Sequence, residues 1–333
     1  MTRPHDVFRS RTRASSRAKK LLGACAALLA GASLAQAHTI VGDRIFPATL
    51  AVDDPGVNDE LALPTFAYMT GSNFDRSPGP INYSLGWEYA KTITADLGVS
   101  VGSQGFNWQR RPNAQGWSNI ETQLKYVFWQ DAKAEAIFAG AVNVEWGNTG
   151  SPQSAGIAPD PFSTVTTKLY AGKGFGDASI DWARPFAVTG EVDYSMPART
   201  VNADGSLNPT TLTYGATLQY SLLYRNSHVE EVPELFRRLI PSFEAVFTTP
   251  IAHVAQSVTD DFSTHTTTGV FGPALYYIGN YFEIGVMAQI PLNRASGSHV
   301  GAVAVLDFFL DDIAPDSLGK PLFGPSQARG GHY

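Results

Sequence analysis

A period of two dominates the chain beyond residue 60, and no other pattern limits its fold as strongly. Tyr83, Leu85, Trp87 and Tyr89 alternate with polar or small residues. Successive side chains of a β-strand point to opposite faces, so such a segment has one apolar face and one polar face. About twelve segments of this kind follow one another, and none has the length and apolarity of a transmembrane helix. The sequence therefore predicts an all-β chain of about twelve antiparallel strands.

Long and short connections alternate between the predicted strands. Tight turns are expected at Ala90-Lys91 and at Gln130-Asp131-Ala132, whereas the intervening connections are long and rich in Gly, Pro, Asn and Ser. This alternation is typical of outer-membrane β-barrels. One exception is the connection 225–238, for which the capping box from Ser227 to Glu230 predicts a short helix, with an irregular turn as the alternative. The predicted strands are 61–70, 82–89, 92–101, 119–128, 135–146, 162–173, 186–195, 212–224, 239–249, 266–277, 282–291 and 300–310.

The N-terminus has the features of an export signal. Seven basic residues precede an apolar run, 21–34, which ends at Ala35-Gln36-Ala37 and is too short to span a bilayer. We therefore predict a cleavable signal peptide over 1–37 and a mature chain that starts near His38. Cys25, the one cysteine, lies inside this signal, and a lipoprotein signal is disfavoured because the apolar core follows it. The mature chain would have no thiol.

Composition narrows the possible functions. The chain is 44% hydrophobic and 16% charged, with 24 basic and 30 acidic residues. Seven of the basic residues and one acidic residue lie in the signal, so its removal takes the net charge from -6 to -12. An acidic chain without a basic patch lacks the positive surface that binds the phosphates of nucleic acids. We expect no nucleic-acid partner.

The alternation of apolar and polar residues alone fits either a periplasmic β-sandwich or a membrane barrel. Several predicted strands reach the ten residues that a tilted transmembrane strand needs, and aromatic residues crowd the predicted strand ends, as in the girdles of outer-membrane barrels. We therefore predict a transmembrane, antiparallel up-and-down β-barrel. The expected organisation is a signal peptide (1–37), an acidic N-terminal segment (38–60), the barrel (61–310) and a Gly/Pro-rich C-terminal tail (311–333).

The chain resembles a family of bacterial barrels in these features together with the run Asn82-Tyr83-Ser84-Leu85-Gly86-Trp87-Glu88-Tyr89. It is similar to outer-membrane β-barrels of the phenol-degradation meta-pathway transporter type. The resemblance implies passage of small, aromatic or hydrophobic molecules across the outer membrane. Many such barrels end on an aromatic residue of the last strand, whereas here Phe308 and Phe309 are followed by an extension to Tyr333, which the assembly machinery would have to accommodate.

The polar faces predict the character of the lumen. If the aromatic and aliphatic faces meet lipid, the charged side chains on the other face point inward, and most of them are acidic. A ring of carboxylates repels anions and admits cations or neutral solutes. The alternative is that these acids pair with buried partners in a filled interior. The predicted lumen-lining residues are Glu88, Asp96, Glu121, Lys125, Glu135, Glu145, Glu191, Asp193, Glu244, Glu283 and Asp307.

Catalysis and metal binding have weaker support. Gly98-Val99-Ser100-Val101-Gly102 fits the G-x-S-x-G pattern, but it lies inside an alternating strand and not at a strand-to-helix turn. A copper site of His38 with His253, His265 or His299 is disfavoured, because these histidines are expected on opposite sides of the membrane. The stretch 52–60 offers oxygen ligands as for calcium, but without EF-hand spacing. It is better interpreted as a solvated segment or a small plug at the periplasmic mouth.

The sequence thus predicts an outer-membrane channel or facilitator for small neutral, aromatic or cationic solutes, without a cofactor. Its expected partners are outer-membrane lipids and lipopolysaccharide, the outer-membrane assembly machinery and the solute. The alternatives are a barrel enzyme that acts on lipids or esters and a structural barrel that transports nothing.

Overall fold

A single antiparallel sheet closes on itself to form the barrel. The computed structural model describes residues 39–71, 79–110, 113–151, 160–203, 205–254 and 265–323. Twelve of its strands, β3 to β5 and β7 to β15, form the barrel, and β15 pairs with β3 to close it. The strands are β1 Thr39–Val41, β2 Arg44–Phe46, β3 Glu60–Thr70, β4 Ile81–Thr94, β5 Leu97–Arg110, β6 Ala114–Trp117, β7 Ile120–Asp131, β8 Ala136–Trp146, β9 Thr164–Gly174, β10 Phe186–Pro197, β11 Thr210–Tyr220, β12 Leu239–Ala252, β13 Thr268–Ile278, β14 Phe282–Pro291 and β15 Gly301–Phe309.

This architecture confirms the predicted barrel and excludes the β-sandwich, since one sheet closes on itself. Among the described residues, no helix is long and apolar enough to cross a membrane. The predicted signal peptide (1–37) and His38 lie outside the described residues. Strands β1 and β2 form a separate hairpin, and β6 pairs only with the end of β5.

The two ends of the barrel differ in their connections. At one end, here the turn end, β4 joins β5 through two residues and β13 joins β14 through three. The turn end also carries two longer connections, 175–185 and 221–238. The other end, here the loop end, holds the connections 71–80, 111–119, 147–163, 198–209, 253–267 and 292–300.

The first hairpin turn lies later than the sequence predicts. Strand β4 continues through Ala90-Lys91, which pair with Ser100 and Val99, and the turn is Ala95-Asp96. A β-bulge between Thr92 and Thr94 shifts the register by one residue. Because of this bulge, odd-numbered residues face outward on both sides of the turn, from Leu85 to Tyr89 and from Leu97 to Val101, so the alternation carries no mark of the turn. The predicted turn at Ala90-Lys91 is therefore wrong.

The connection 221–238 does contain a helix, but not at the predicted capping box. Helix α1, Leu222–His228, begins after Ser221, whose hydroxyl accepts a hydrogen bond from the Tyr224 amide. Serine at this position satisfies a backbone donor that the helix leaves open. Ser227, the predicted cap, lies in the last turn and donates to the Leu223 carbonyl.

The outer surface of the barrel is apolar and the inner surface is polar. Phe128, Val192 and Leu218 are about half exposed on the outside, whereas Gln219 and Glu244 on the inside are buried. Continuous exposure of large apolar side chains around a barrel is a surface for lipid and not for water. This orientation is the one on which the predicted lumen depends.

Candidate functional site

Residues 39–59 form a plug inside the turn-end half of the barrel. Its apolar side chains Val41, Phe46 and Val57 pack with the wall residues Ile137 and Tyr170 in one buried cluster. The plug reaches the midpoint of β11, where Val52 lies against Gly215. For the stretch 52–60, the sequence leaves a solvated segment and a small plug as alternatives; in the structure, residues 52–59 belong to the plug and Glu60 begins β3.

The hairpin of the plug requires glycine at its turn. Gly42 has φ +64, and a Cβ at this position would lie 2.1 Å from the carbonyl oxygen of Ala132 in the turn between β7 and β8. The left-handed conformation costs other residues roughly 1–2 kcal/mol. Gly42 thus lets the plug backbone approach the wall closely.

We expect Gly42→Ala to loosen the plug by about tenfold, from the left-handed strain of roughly 1–2 kcal/mol and the clash with Ala132. The measurement is maleimide labelling of a single cysteine, Val57→Cys, in a chain that carries Cys25→Ser. Val57 is buried in the plug, so labelling reports its release. Gly205→Ala is the matched control, because Gly205 has φ +85 but open space around its Cβ position. Equal labelling of both variants would contradict a role for the close approach.

Arg44 anchors the plug to three connections of the turn end. Its guanidinium pairs with the Glu135 carboxylate at 3.0 Å and donates to the carbonyl oxygens of Pro185 at 3.0 Å and Arg184 at 2.6 Å. It also lies 3.9 Å from the ring centre of Tyr224 in α1. The Arg44 side chain is 0% exposed. A planar guanidinium suits this arrangement because its donors point in fixed directions.

Lys125 on β7 holds the plug at Asp53 and Asp54. Its ammonium lies 2.9 Å from the Asp53 carboxylate and 3.2 Å from the Asp54 carboxylate, and it also donates to the Asp54 carbonyl at 2.9 Å. The Tyr170 hydroxyl donates to Asp53 at 3.0 Å. The contacts of Lys125 and Tyr170 with Asp53 and Asp54 are here called the latch. Because Lys125 lies on β7 and Tyr170 on β9, the latch joins the plug to two separate strands.

The two aspartates differ in their electrostatics. Burial raises the pKa of Asp54, and the neighbouring Asp53 charge adds to the rise while Lys125 opposes it. Burial also acts to raise the pKa of Asp53, but attraction to Lys125 and Lys168 outweighs it and leaves that pKa lowered. The Asp53 carboxylate is also the nearer of the two to the Lys125 ammonium, at 2.9 Å against 3.2 Å.

Three backbone amides of the plug donate to side chains of the wall. The Leu50 amide donates to the Tyr276 hydroxyl at 2.8 Å, and the Ala51 amide donates to Glu244 at 2.9 Å. The Asp53 amide donates to Glu191 at 3.0 Å. Within the plug, Thr39 and Asn58 donate to Asp54. The buried polar groups of this irregular segment are thus satisfied by the wall and by each other.

Four of the predicted lumen residues contact the plug. They are Lys125, Glu191 and Glu244 on strands, and Glu135, which lies in the turn between β7 and β8. Asp96 also lies in a turn, that between β4 and β5, and not on an inner face. The sequence placed Glu135 and Asp96 on strands because the alternating pattern continues up to each turn.

The remaining predicted residues lie on the inner wall away from these contacts. Glu121 accepts from Asn143 at 3.3 Å and Glu145 from Asn119 at 2.8 Å, both toward the loop end. Asp193 pairs with Lys168 at 3.4 Å. Three further acids are Glu88, which is exposed to the lumen, and Glu283 and Asp307, which are buried in register on β14 and β15.

Sequence reasoning missed several residues of the site. Lys168, Tyr170 and Tyr276 lie on inner faces, and their alternation with outward residues was the available signal for all three. Arg44 had no such signal, because the plug has no period. Glu60 was placed in the N-terminal segment, whereas it begins β3 and lines the cavity beside the plug.

A cavity remains between the plug and strands β4, β5 and β7. The empty space is about 290 Å³, including the part that is open to solvent, and its lining includes Glu60, Glu88, Ser100, Gln123 and Lys125. Glu88 is exposed there, so this side of the plug is accessible to solvent. The interior is therefore filled by the plug at the turn end and open beside Glu88.

The inner face of the loop-end half carries hydroxyl and amide groups. Thr166 and Ser195 are hydrogen-bonded at 2.9 Å across β9 and β10, and Thr213 and Thr248 at 2.9 Å across β11 and β12. The aromatic pair Tyr83 and Trp108 stacks with ring centres 5.2 Å apart on the opposite, outward face. This part of the inner wall is therefore polar.

Within the described residues, neither the serine motif nor the calcium-like stretch forms a recognisable site, and the copper hypothesis depends on His38, which lies outside them. Ser100 lies within β5 and is not followed by a helix. The described ranges contain no group of three or more His, Cys, Asp or Glu side chains placed to hold a metal ion. In the stretch 52–60, whose side chains offer oxygen ligands, Asp53, Asp54 and Asp59 pair with lysines.

Comparison with solved structures finds barrels with little sequence identity. The NanC porin is 8% identical and covers 74% of this chain and 98% of its own, with a TM-score of 0.46. The translocator domain of the autotransporter NalP from Neisseria meningitidis is 10% identical and covers 88% and 95%, at 0.42. The outer membrane protein OprD from Pseudomonas aeruginosa is 13% identical and covers 83% and 72%, at 0.33. No protein-family model and no curated protein matches the chain.

Proposed function

We propose that the chain is an outer-membrane channel for small hydrophilic solutes, closed by its plug in the state described. One observation carries the proposal: a barrel with an apolar outside encloses a polar lumen, and a separate segment fills one end of it. The turn end would face the periplasm, as in other outer-membrane barrels. The chain's partners would then be lipids, lipopolysaccharide, the assembly machinery and the solute.

Charge supports a preference for cations. Above the plug, Glu121 and Glu145 lie on the neighbouring strands β7 and β8, and Glu88 lies on β4, with β5 between it and β7. The cations are engaged, Lys125 by the plug and Lys168 by Asp193. Negative charge in a narrow aqueous pore attracts cations and repels anions. For neutral hydrophilic molecules, passage would be limited by the width of the pore and not by charge.

The lining also bears on the type of solute. The resemblance to phenol-pathway transporters implies aromatic or hydrophobic molecules. Such molecules bind in pockets with apolar and aromatic walls. The loop-end lumen instead presents hydroxyl, amide and carboxylate groups at the inward positions of the described strands. We therefore propose hydrophilic solutes, cationic or neutral, over aromatic ones.

Planar-bilayer recording in a salt gradient tests this proposal. We expect the full chain to be mostly closed, and a variant that lacks residues 39–58 to conduct steadily with a reversal potential of the cation-selective sign. Glu121→Gln with Glu145→Gln in that variant should lower the cation preference several-fold. Glu230→Gln, at an exposed turn-end position, is the matched control. Anion selectivity would refute the cation preference, and a silent plug-less barrel that is folded by heat-modifiability would refute the channel.

A further inference from the structure

The chain continues past the last barrel strand and folds back onto the turn end. After β15, the short helix α2, Leu310–Ile313, leads into a segment whose residues 310–323 are here called the strap. The Leu322 and Phe323 amides donate to the carbonyl oxygens of Thr92 at 3.1 Å and Ile93 at 2.8 Å. These two acceptors lie at the turn-end tip of β4. The strap thus spans from β15 across to β4.

Lys91 connects the strap to the plug. Its buried ammonium donates to the Asp59 carboxylate and to the carbonyl oxygens of Leu318 and Lys320, both at 2.8 Å. Asp59 is the last residue of the plug, and its carboxylate also accepts from the Thr92 amide at 2.8 Å. One side chain of β4 therefore binds the plug and the strap at once.

A second contact joins the two segments directly. The Leu310 amide donates to the Asp59 carbonyl at 2.9 Å. The point where the plug passes into β3 is consequently held by the first residue of the strap and, through Lys91, by the residues near its end. Any motion of the plug out of the lumen must pivot near this point, because Glu60 is already part of the barrel wall.

The geometry points to the strap as a lock on the plug: while it is bound, Lys91 is held on Asp59 and the plug stays in the lumen. Removing the strap takes away two of the three oxygen acceptors of the Lys91 ammonium. The ammonium is then free to turn toward solvent, and Asp59 loses its charge partner. This inference rests on the proposed function, since it assigns control of the same closed lumen.

The strap is attached in a way that permits release. Leu322 is 58% exposed and Phe323 69% exposed, so little apolar area holds this part in place. Among the described residues, this part of the strap forms hydrogen bonds to β4 through the Leu322 and Phe323 amides and to Lys91 through two carbonyl oxygens. Segments with few buried apolar contacts open at a low free-energy cost compared with the barrel that carries them. A lock must be weaker than the wall, and the strap meets this condition.

Cleavage of the strap in the assembled protein tests the inference. A protease site is inserted between the exposed residues Asp316 and Ser317 of the Val57→Cys, Cys25→Ser chain, and the folded barrel is cut in detergent. We expect maleimide labelling of the plug cysteine to rise about tenfold after the cut. The control is the same insertion left uncut, and barrel integrity is checked by heat-modifiability.

A second variant keeps the test independent of the insertion. Lys91→Met in the uncut chain should raise labelling to a similar extent, and cutting it should add little, because both changes break the same connection. Unchanged labelling in the cut chain and in Lys91→Met would overturn the lock. If labelling rises but the released barrel does not conduct, the proposed channel function fails while the lock stands.

Discussion

Arg44→Met should open the lumen more than any other single change at the turn end. The substitution removes the plug's only contact with Glu135 among the described interactions and leaves that carboxylate buried without its cation. Breaking one partner out of a buried ion pair costs about 3–5 kcal/mol. At 1.4 kcal/mol per tenfold, this corresponds to roughly a hundredfold or more in the ratio of released to docked plug. The measurement is the labelling rate of Val57→Cys together with bilayer conductance.

Two further variants separate the ion pair from the general loss of packing. Arg44→Lys keeps the charge but cannot reach Glu135, Pro185 and Arg184 together, so it should give an intermediate labelling rate. Glu135→Gln added to Arg44→Met removes the stranded charge and should recover part of the docking. If Arg44→Met is labelled no faster than the parent chain, Arg44 does not anchor the plug.

The barrel can be predicted from the sequence because the pattern that indicates it lies within each single strand. Each strand displays its inner and outer faces in consecutive residues, so Tyr83 to Tyr89 already indicate which side meets lipid. The position of a turn is less well specified, as Ala95-Asp96 shows, because a bulge preserves the phase on both sides of it. Which side chains face lipid can be read from one strand, whereas the position of a turn depends on how two strands pair.

The plug could not be predicted with the same means. Its anchor Arg44 reaches Pro185, 141 residues away, and Asp53 reaches Tyr170, 117 residues away. No periodicity marks such contacts, since residues 47–59 have no regular structure and are held by side chains of the wall. The acidic character of the stretch suggested solvation or metal binding, but its charges are matched by Lys91 and Lys125.

Contacts between residues far apart in the sequence also change the interpretation of the predicted pore lining. The sequence assigned all the inner acids to one pore lining. The structure divides them: Glu135, Glu191 and Glu244 receive plug groups, whereas Glu121 and Glu145 lie above the plug. Alternation can place a carboxylate on the inner face, but it cannot tell whether a solute or another part of the chain is its partner.

Lys125→Met is the second change for which we expect a large effect. It leaves Asp53 and Asp54 without their shared cation at the centre of the barrel, where Asp54 is 2% exposed. The cost of an unpaired buried charge, about 3–5 kcal/mol, again corresponds to roughly a hundredfold or more in plug release. Methionine keeps most of the side-chain volume, so the wall itself is preserved. Labelling of Val57→Cys and the open probability in bilayers should rise together.

Lys168→Met is the matched control for the latch. Lys168 also lies on the inner wall and attracts Asp53, but its ammonium pairs with Asp193 of the wall, so its loss should raise labelling much less than Lys125→Met does. Asp54→Asn added to Lys125→Met removes one stranded charge and should slow labelling again. Once open, the Lys125→Met pore should be more cation-selective than the plug-less parent, because it has lost an inward positive charge. Equal labelling of Lys125→Met and Lys168→Met would show that general lumen charge, and not this latch, holds the plug.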